Sequence, residues 1–194
     1  FCFETVLSTD WNLKLLKRAK DAGFFIRCYY VLTADPQINV ARVASRVSAG
    51  GHDVPTDKII SRYHKALSLV HELIPLCDVC HIYDNSLNEP FRIFKKRKEE
   101  YWYCPERYLW RKDNIVALTG ISNAQRAPLN NHRTQSWRTL HLSMASSANL
   151  DRGSHSSYWQ ILVSCISTKG VEYEVYYSAL WRQKYIYATS SGQA

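Results

Sequence analysis

Arg42 and Arg46 stand four residues apart just ahead of Gly50-Gly51, and Arg62 stands beyond it. On a helix, positions i and i+4 share a face, so the first two guanidinium groups point the same way. Guanidinium forks bind phosphate oxygens bidentately, and a closing flap expels water from a charged transition state. Arginines on both sides of a glycine hinge therefore suit the clamping of a polyphosphate. Glu4-Thr5 ends an apolar stretch, where a carboxylate could accept hydrogen bonds from a substrate hydroxyl or amide, or equally cap the helix that follows. His52 lies in the hinge, but no serine or cysteine arrangement beside it resembles a nucleophile and its base, so no catalytic residue is assigned.

Two further clusters invite chemistry. Cys77-Asp78-Val79-Cys80, with His81 adjacent, could be read as zinc or redox chemistry. A structural zinc site takes four ligands, and no second CxxC is present. A thioredoxin-like motif opens a helix, whereas this one runs into a strand-like segment. No metal site is therefore expected. Lys95-Lys96-Arg97-Lys98, followed by Tyr101-Trp102-Tyr103, could neutralise phosphates and stack on bases, or form a solvated basic surface.

The elements that must carry these residues follow from periodicity and breakers. Ser8-Thr9-Asp10 offers N-cap chemistry for a helix in which Trp11, Leu15, Leu16 and Ala19 recur at helical spacing, and Gly23 closes it. Phe24 to Leu32 is a buried strand by its aromatic and β-branched content. Asp35-Pro36 caps a helix running to about Ala49. The glycine hinge follows, with Pro55 in the first turn of a helix extending to about Leu73. Leu76 to Tyr83 reads as a strand and Asp84-Asn85-Ser86 as the turn after it. A strand or hairpin is expected from Phe91, a short helix between Trp110 and Ile121, and strands in 159–166 and 171–187. This alternation predicts an α/β fold, a parallel sheet with crossover helices. Ligands then bind beyond the carboxyl ends of the strands, where Glu4-Thr5, Thr33-Ala34-Asp35 and Asp84-Asn85-Ser86 would lie.

The chain of 194 residues has room for one medium domain with an appendage, and its net charge of +8 favours polyanionic partners. No apolar run is long enough to span a bilayer. Six cysteines, without the dense spacing of a secreted disulfide scaffold, suggest reduced thiols and a cytoplasmic setting. The chain opens on Phe1-Cys2-Phe3, which has the character of a strand interior, and Met144 is its sole methionine; a beginning upstream is expected.

Together, Phe3-Glu4-Thr5-Val6-Leu7-Ser8, the hinge from Arg42 to Pro55, Ile60-Ser61-Arg62-Tyr63, Ile82-Tyr83-Asp84-Asn85-Ser86 and Leu118-Thr119-Gly120-Ile121 resemble the zeta-toxin-like P-loop kinases. The resemblance covers residues 1–121, which would be the lid-bearing carboxyl-terminal part of such a domain. It leaves 122–194 as a separate, unassigned segment that a β-rich fold would suit. It implies ATP with Mg²⁺ as phosphoryl donor and a nucleotide sugar such as UDP-N-acetylglucosamine as acceptor. By the same resemblance Arg42, Arg46, Arg62 and Asn85 bind ATP, and Glu4 and Thr5 bind the acceptor. An antitoxin protein is admitted as a partner; nucleic acid and membrane are not called for. The glycine-rich phosphate loop GxxxxGK[ST], its lysine, its Mg²⁺-binding hydroxyl and the catalytic aspartate are absent from the sequence. Without them the chain alone should be inactive. The alternative is a non-catalytic interaction or nucleic-acid-binding module built on Lys95 to Lys98. A parallel sheet lacking a central strand would expose an edge, which the segment after Ser122 could fill.

Overall fold

A computed structural model describes residues 2–87, 90–104 and 109–127, together with 161–167, of which, as for Cys2, only the backbone is described. The elements in chain order are β1 (Cys2–Thr5), α1 (Trp11–Asp21), β2 (Phe24–Leu32), α2 (Pro36–Ser48), α3 (Thr56–Ser68), α4 (Val70–Leu76), β3 (Val79–Asp84), β4 (Phe91–Arg97), β5 (Glu100–Tyr103), α5 (Lys112–Thr119), β6 (Gln125–Arg126) and β7 (Ile161–Ser167).

The strands form one sheet in the order β1-β7-β2-β3-β4-β5-β6. β2 and β3 are parallel, and β1 runs with them because β1 and β2 each pair antiparallel with β7. β4 is antiparallel to β3, and β5 to β4. The sheet is therefore mixed, which corrects the expectation of a parallel one. Crossover helices α1 and α2–α4 return the chain for parallel pairing, whereas β4 and β5 are joined by only Lys98-Glu99, a connection that permits only antiparallel neighbours. From the segment after Ser122, β7 occupies the position between β1 and β2. The expected strand at 171–187 lies outside the described residues.

Alternation along the strands sorts the sheet into two faces. On one face Ile26, Cys28, Tyr30 and Leu32 of β2, Cys80 and Ile82 of β3 and Phe94 of β4 share a buried cluster with Leu13 and Leu16 of α1, Val70, Leu73 and Ile74 of α4, and Ile115 of α5. A bulge between Ile82 and Tyr83 lets Ile93 join that core out of alternation. Trp11, counted among the apolar helical positions, is instead 69% exposed.

Local chemistry explains several boundaries. The Asp35 side chain accepts from Gln37 N–H at 2.7 Å and Pro36 occupies the first turn, as the sequence predicts for α2. The capping expected at Asp10 is not made: its side chain pairs with Lys14 at 2.8 Å, and α1 begins without a side-chain cap. Thr5 Oγ1 is engaged there, accepting from Asn12 Nδ2 at 2.6 Å and Leu7 N–H at 3.1 Å. Pro55 stands at the N-cap of α3, one residue before the position expected. The helix expected to reach Leu73 breaks at Leu69, and α4 extends through Pro75 to Leu76, delaying β3 to Val79.

Candidate functional site

The carboxyl ends of β1, β2 and β3 lie at one edge of the sheet, because the three strands run in the same direction. Asp84, the last residue of β3, is fully buried and organises the loop after it. Its carboxylate accepts from Ser86 N–H at 2.7 Å, from Trp110 Nε1–H at 2.8 Å and from the Ser86 hydroxyl. Ser86 Oγ in turn accepts from Ala34 N–H at 2.7 Å, joining this loop to the one after β2. Between them Asn85 donates its N–H to Leu32 O at 2.8 Å.

Onto this edge the helix–hinge–helix flap is anchored by side chains of α2 and α3. Arg42 Nη2 donates to Asn85 O at 2.6 Å, bringing together two of the residues singled out in the sequence. That bond uses one N–H of a guanidinium that carries five. Arg46 takes another role: its Nη2 donates to His52 O at 2.5 Å, and Gly51 N–H donates back to Arg46 O at 3.0 Å. A Cβ on Gly51 would come within 2.7 Å of Arg46 Cγ, so the arginine stem lies against a backbone that admits only glycine. Gly50 has φ of +89°, the left-handed geometry that lets the chain leave α2. Arg62 is exposed on α3.

Glu4 and Thr5 are not brought beside Asn85. β1 and β3 are three strand spacings apart in the sheet, roughly 14 Å. Glu4 is solvent-exposed by area, yet partial desolvation raises its carboxyl above the ordinary range. Thr5, expected to touch substrate, has its hydroxyl engaged by Asn12 and Leu7.

The sequence reading passed over the side chains that hold the flap. Tyr63 of α3 donates its hydroxyl to Thr33 O at 2.7 Å, and burial, with Asp35 and Asp84 nearby, pushes the phenol up to about 12. Asn39 of α2 is wholly buried; its Nδ2 donates to Thr33 Oγ1 at 3.0 Å, and its Oδ1 has no partner among the described residues. The available signal was Asn39 falling four residues before Val43 on the buried stripe of α2, an amide where an aliphatic side chain would be ordinary.

Strand register aligns the other two clusters in rows. Tyr29, His81, Lys95 and Trp102 are successive partners across β2 to β5 and share one face. Tyr29 and His81 stack at 5.3 Å, and Lys95 Nζ lies 4.8 Å from the Trp102 ring centre. Cys28, Cys80, Lys96 and Tyr101 form the neighbouring row on the opposite face. The basic run is thus divided: Lys95 turns to one face, and Lys96 enters the core, where it donates to Ile74 O at 3.0 Å and Pro75 O at 3.4 Å.

Cys77, the C-cap of α4, descends onto Cys28 and Cys80, and the three sulfurs lie within 4.8 Å of one another with all three residues buried. Hydrogen bonds from Cys28 and Cys77, aided by the Lys96 charge, hold the Cys80 thiol well below its ordinary value. Cys28 is pushed well up by its hydrogen bonds to Cys77 and Cys80 and by burial. Cys77 is also raised: its hydrogen bond with Cys28 acts the other way, but the bond to Cys80 and burial outweigh it. The expectation of no metal site counted the two thiols of one motif; β2 supplies a third from 49 positions earlier than Cys77. Among the described residues no helix is long and apolar enough to cross a membrane.

No protein-family model matches the chain. A protein of Haemophilus influenzae named "Uncharacterized protein" is 35% identical over 63 residues, a match that spans 32% of this chain and 45% of that protein. No solved structure matches.

Proposed function

We propose that the chain is the lid-bearing part of an ATP-dependent small-molecule kinase that resembles the zeta toxins, with a nucleotide sugar such as UDP-N-acetylglucosamine as acceptor. The observation that carries this reading is the Arg42 to Asn85 bond, which seats a glycine-hinged pair of helices on the carboxyl edge of parallel strands. Phosphoryl transfer needs positioning and charge neutralisation more than covalent chemistry. In this reading Arg42 offers its remaining N–H groups to ATP, Arg46 ties the hinge so that the flap moves as a unit, and Arg62 reaches in from the second helix on closure. Asn85 borders the nucleotide, and Glu4 and Thr5 border the acceptor, on the far side of the β7 and β2 ends. In this reading Mg²⁺ and the phosphates of ATP would be held by a GxxxxGK[ST] loop, a motif absent from these 194 residues.

The test joins the chain to a strand–loop–helix segment bearing GxxxxGK[ST] and follows ATP-dependent phosphorylation of UDP-N-acetylglucosamine. Turnover should appear, and Arg42→Ala should lower it at least about tenfold while the fold persists. Equal turnover in the variant would remove Arg42 from the site. The chain alone should bind ATP–Mg²⁺ no more tightly than about 1 mM. The second reading, a nucleic-acid-binding module, is favoured by the Tyr29–His81–Lys95–Trp102 row, where aromatic rings and a cation share one sheet face. Salt-dependent binding of single-stranded oligonucleotide, lost in Trp102→Ala, would select it over the kinase.

A further inference from the structure

We propose that Cys28, Cys77 and Cys80 form a three-thiolate site for a soft monovalent cation, Cu(I), in the core between β2, β3 and the end of α4. A metal–sulfur bond of about 2.3 Å places three thiolates in a plane about 4.0 Å apart. The three sulfurs already lie within 4.8 Å of one another, so binding requires only small side-chain rotations. Thiolates select soft cations, and the coordination number follows from what surrounds them. Asp78 is committed, with one carboxylate oxygen on Lys20 Nζ at 2.6 Å and the other on Ile26 N–H at 2.8 Å. His81 follows Cys80 in the strand and faces the other side of the sheet. No fourth donor stands ready among the described residues, which disfavours zinc and suits a trigonal ion.

Charge balance points the same way. Lys96 is 4% exposed and stands next to Cys80 in the register of β3 and β4. Its ammonium meets two carbonyls and, at 5.9 Å, the Tyr101 ring; among the described residues it makes no ion pair. A buried cation next to the trio, already acting on Cys80 and Asp78, favours an anionic Cu(I)–trithiolate there over three neutral thiols by offsetting part of its charge. Binding transfers no electrons. Three Cu–S bonds form, Cu(I) remains Cu(I), and each thiol still protonated releases its proton to water.

The experiment uses the full chain, kept anaerobic, with Cys2, Cys104 and Cys165 changed to Ser so that only the trio remains. Cu(I) is supplied from a coloured chelator. The chain should retain one Cu(I), X-ray absorption should report three sulfurs at about 2.3 Å, and the thermal midpoint should rise with Cu(I). Cys28→Val should weaken retention at least about 100-fold. Because that variant could fail to fold, the Cu(I)-dependent midpoint of the trio-only chain stands as an independent readout. No rise in that midpoint, retention that survives Cys28→Val in a folded chain, or preferential uptake of Zn²⁺ with four ligands would each overturn the assignment.

Discussion

His81 shows how strand register sets the chemistry of a single side chain. Burial pushes its pKa down to about 3, aided by the charges of Arg92, Lys95 and Arg27, which reach it from β4 and β2. The imidazole is therefore neutral in the folded chain at any pH where an unfolded chain, with an ordinary value near ~6.5, would begin to protonate it. Between those two values the unfolded state binds a proton that the folded state refuses, so stability declines as pH falls through that window and is unaffected by His81 above it. His81→Phe keeps a ring to stack on Tyr29 and removes the proton site. Thermal midpoints recorded from pH 7 to pH 4 should fall less steeply in the variant than in the parent. Parallel curves would mean that His81 titrates normally and is not enclosed by those cations. None of this was legible from the residue's own neighbours in sequence. His81 was visible only as an appendage to Cys77-x-x-Cys80, and the groups that govern it are set by pairings to β2 and β4.

At the scale of elements, the turn between β4 and β5 contains a non-glycine residue in a left-handed conformation, Lys98 at φ 54°. Its N–H donates to Asp78 O at 2.7 Å, so the backbone there is tied to the residue leading into β3 as well as to the hairpin. A left-handed lysine costs about 1–2 kcal/mol, whereas glycine forfeits about 0.5–1 kcal/mol in unfolded-state entropy. The first magnitude exceeds the second. Lys98→Gly should therefore raise stability by about 0.5–1 kcal/mol in denaturant unfolding, and Lys98→Val should lower it; a loss in the glycine variant would show that the strain is not there. Elements with strong local signals were legible in sequence. Phe24 to Leu32 is one strand with the ends its composition predicts, and Asp35-Pro36 starts α2 through a cap that needs only its own neighbours. The break at Leu69 was not legible, because no glycine or proline marks it. Of the expected third strand only Leu76 falls in α4, whose Leu73 and Ile74 are buried in the core, and Cys77 and Asp78 connect that helix to β3. The flap was legible as a hinge because glycine and proline bracket it; what the sequence could not show is that Arg46, one of the expected phosphate ligands, also donates to the His52 carbonyl of the hinge.

Across the whole molecule, the position of β7 decides whether β1 belongs to the sheet at all, since β1 pairs with β7 and β7 with β2. Sequence could identify a strand near Ile161, but not its place, because pairing across more than a hundred residues leaves no local trace. The hydrogen bonds of β2 make that place testable. Ile26 O accepts from Asp78 N–H and Leu32 O accepts from Asn85 N–H, so the even-numbered residues of β2 direct their backbone groups toward β3. A strand residue sends its N–H and C=O to the same side and its neighbours send theirs to the other. Arg27 and Tyr29 therefore donate toward β7, while Cys28 and Tyr30 donate toward β3. Leu162 stands opposite Glu4 on one side and Tyr29 on the other, and because Tyr29 faces β7 its partner Leu162 donates its own N–H back to β2. Proline in a central strand removes a ladder donor and costs about 3 kcal/mol or more. Leu162→Pro should then detach β7 from β2, lower the thermal midpoint, and abolish hydrogen-exchange protection at Arg27 and Tyr29 while sparing Cys28 and Tyr30. If Arg27 and Tyr29 keep their protection, some other segment, or none, occupies the position between β1 and β2. If all four amides lose protection together, the β2–β3 pairing depends on β7 and the sheet is one cooperative unit.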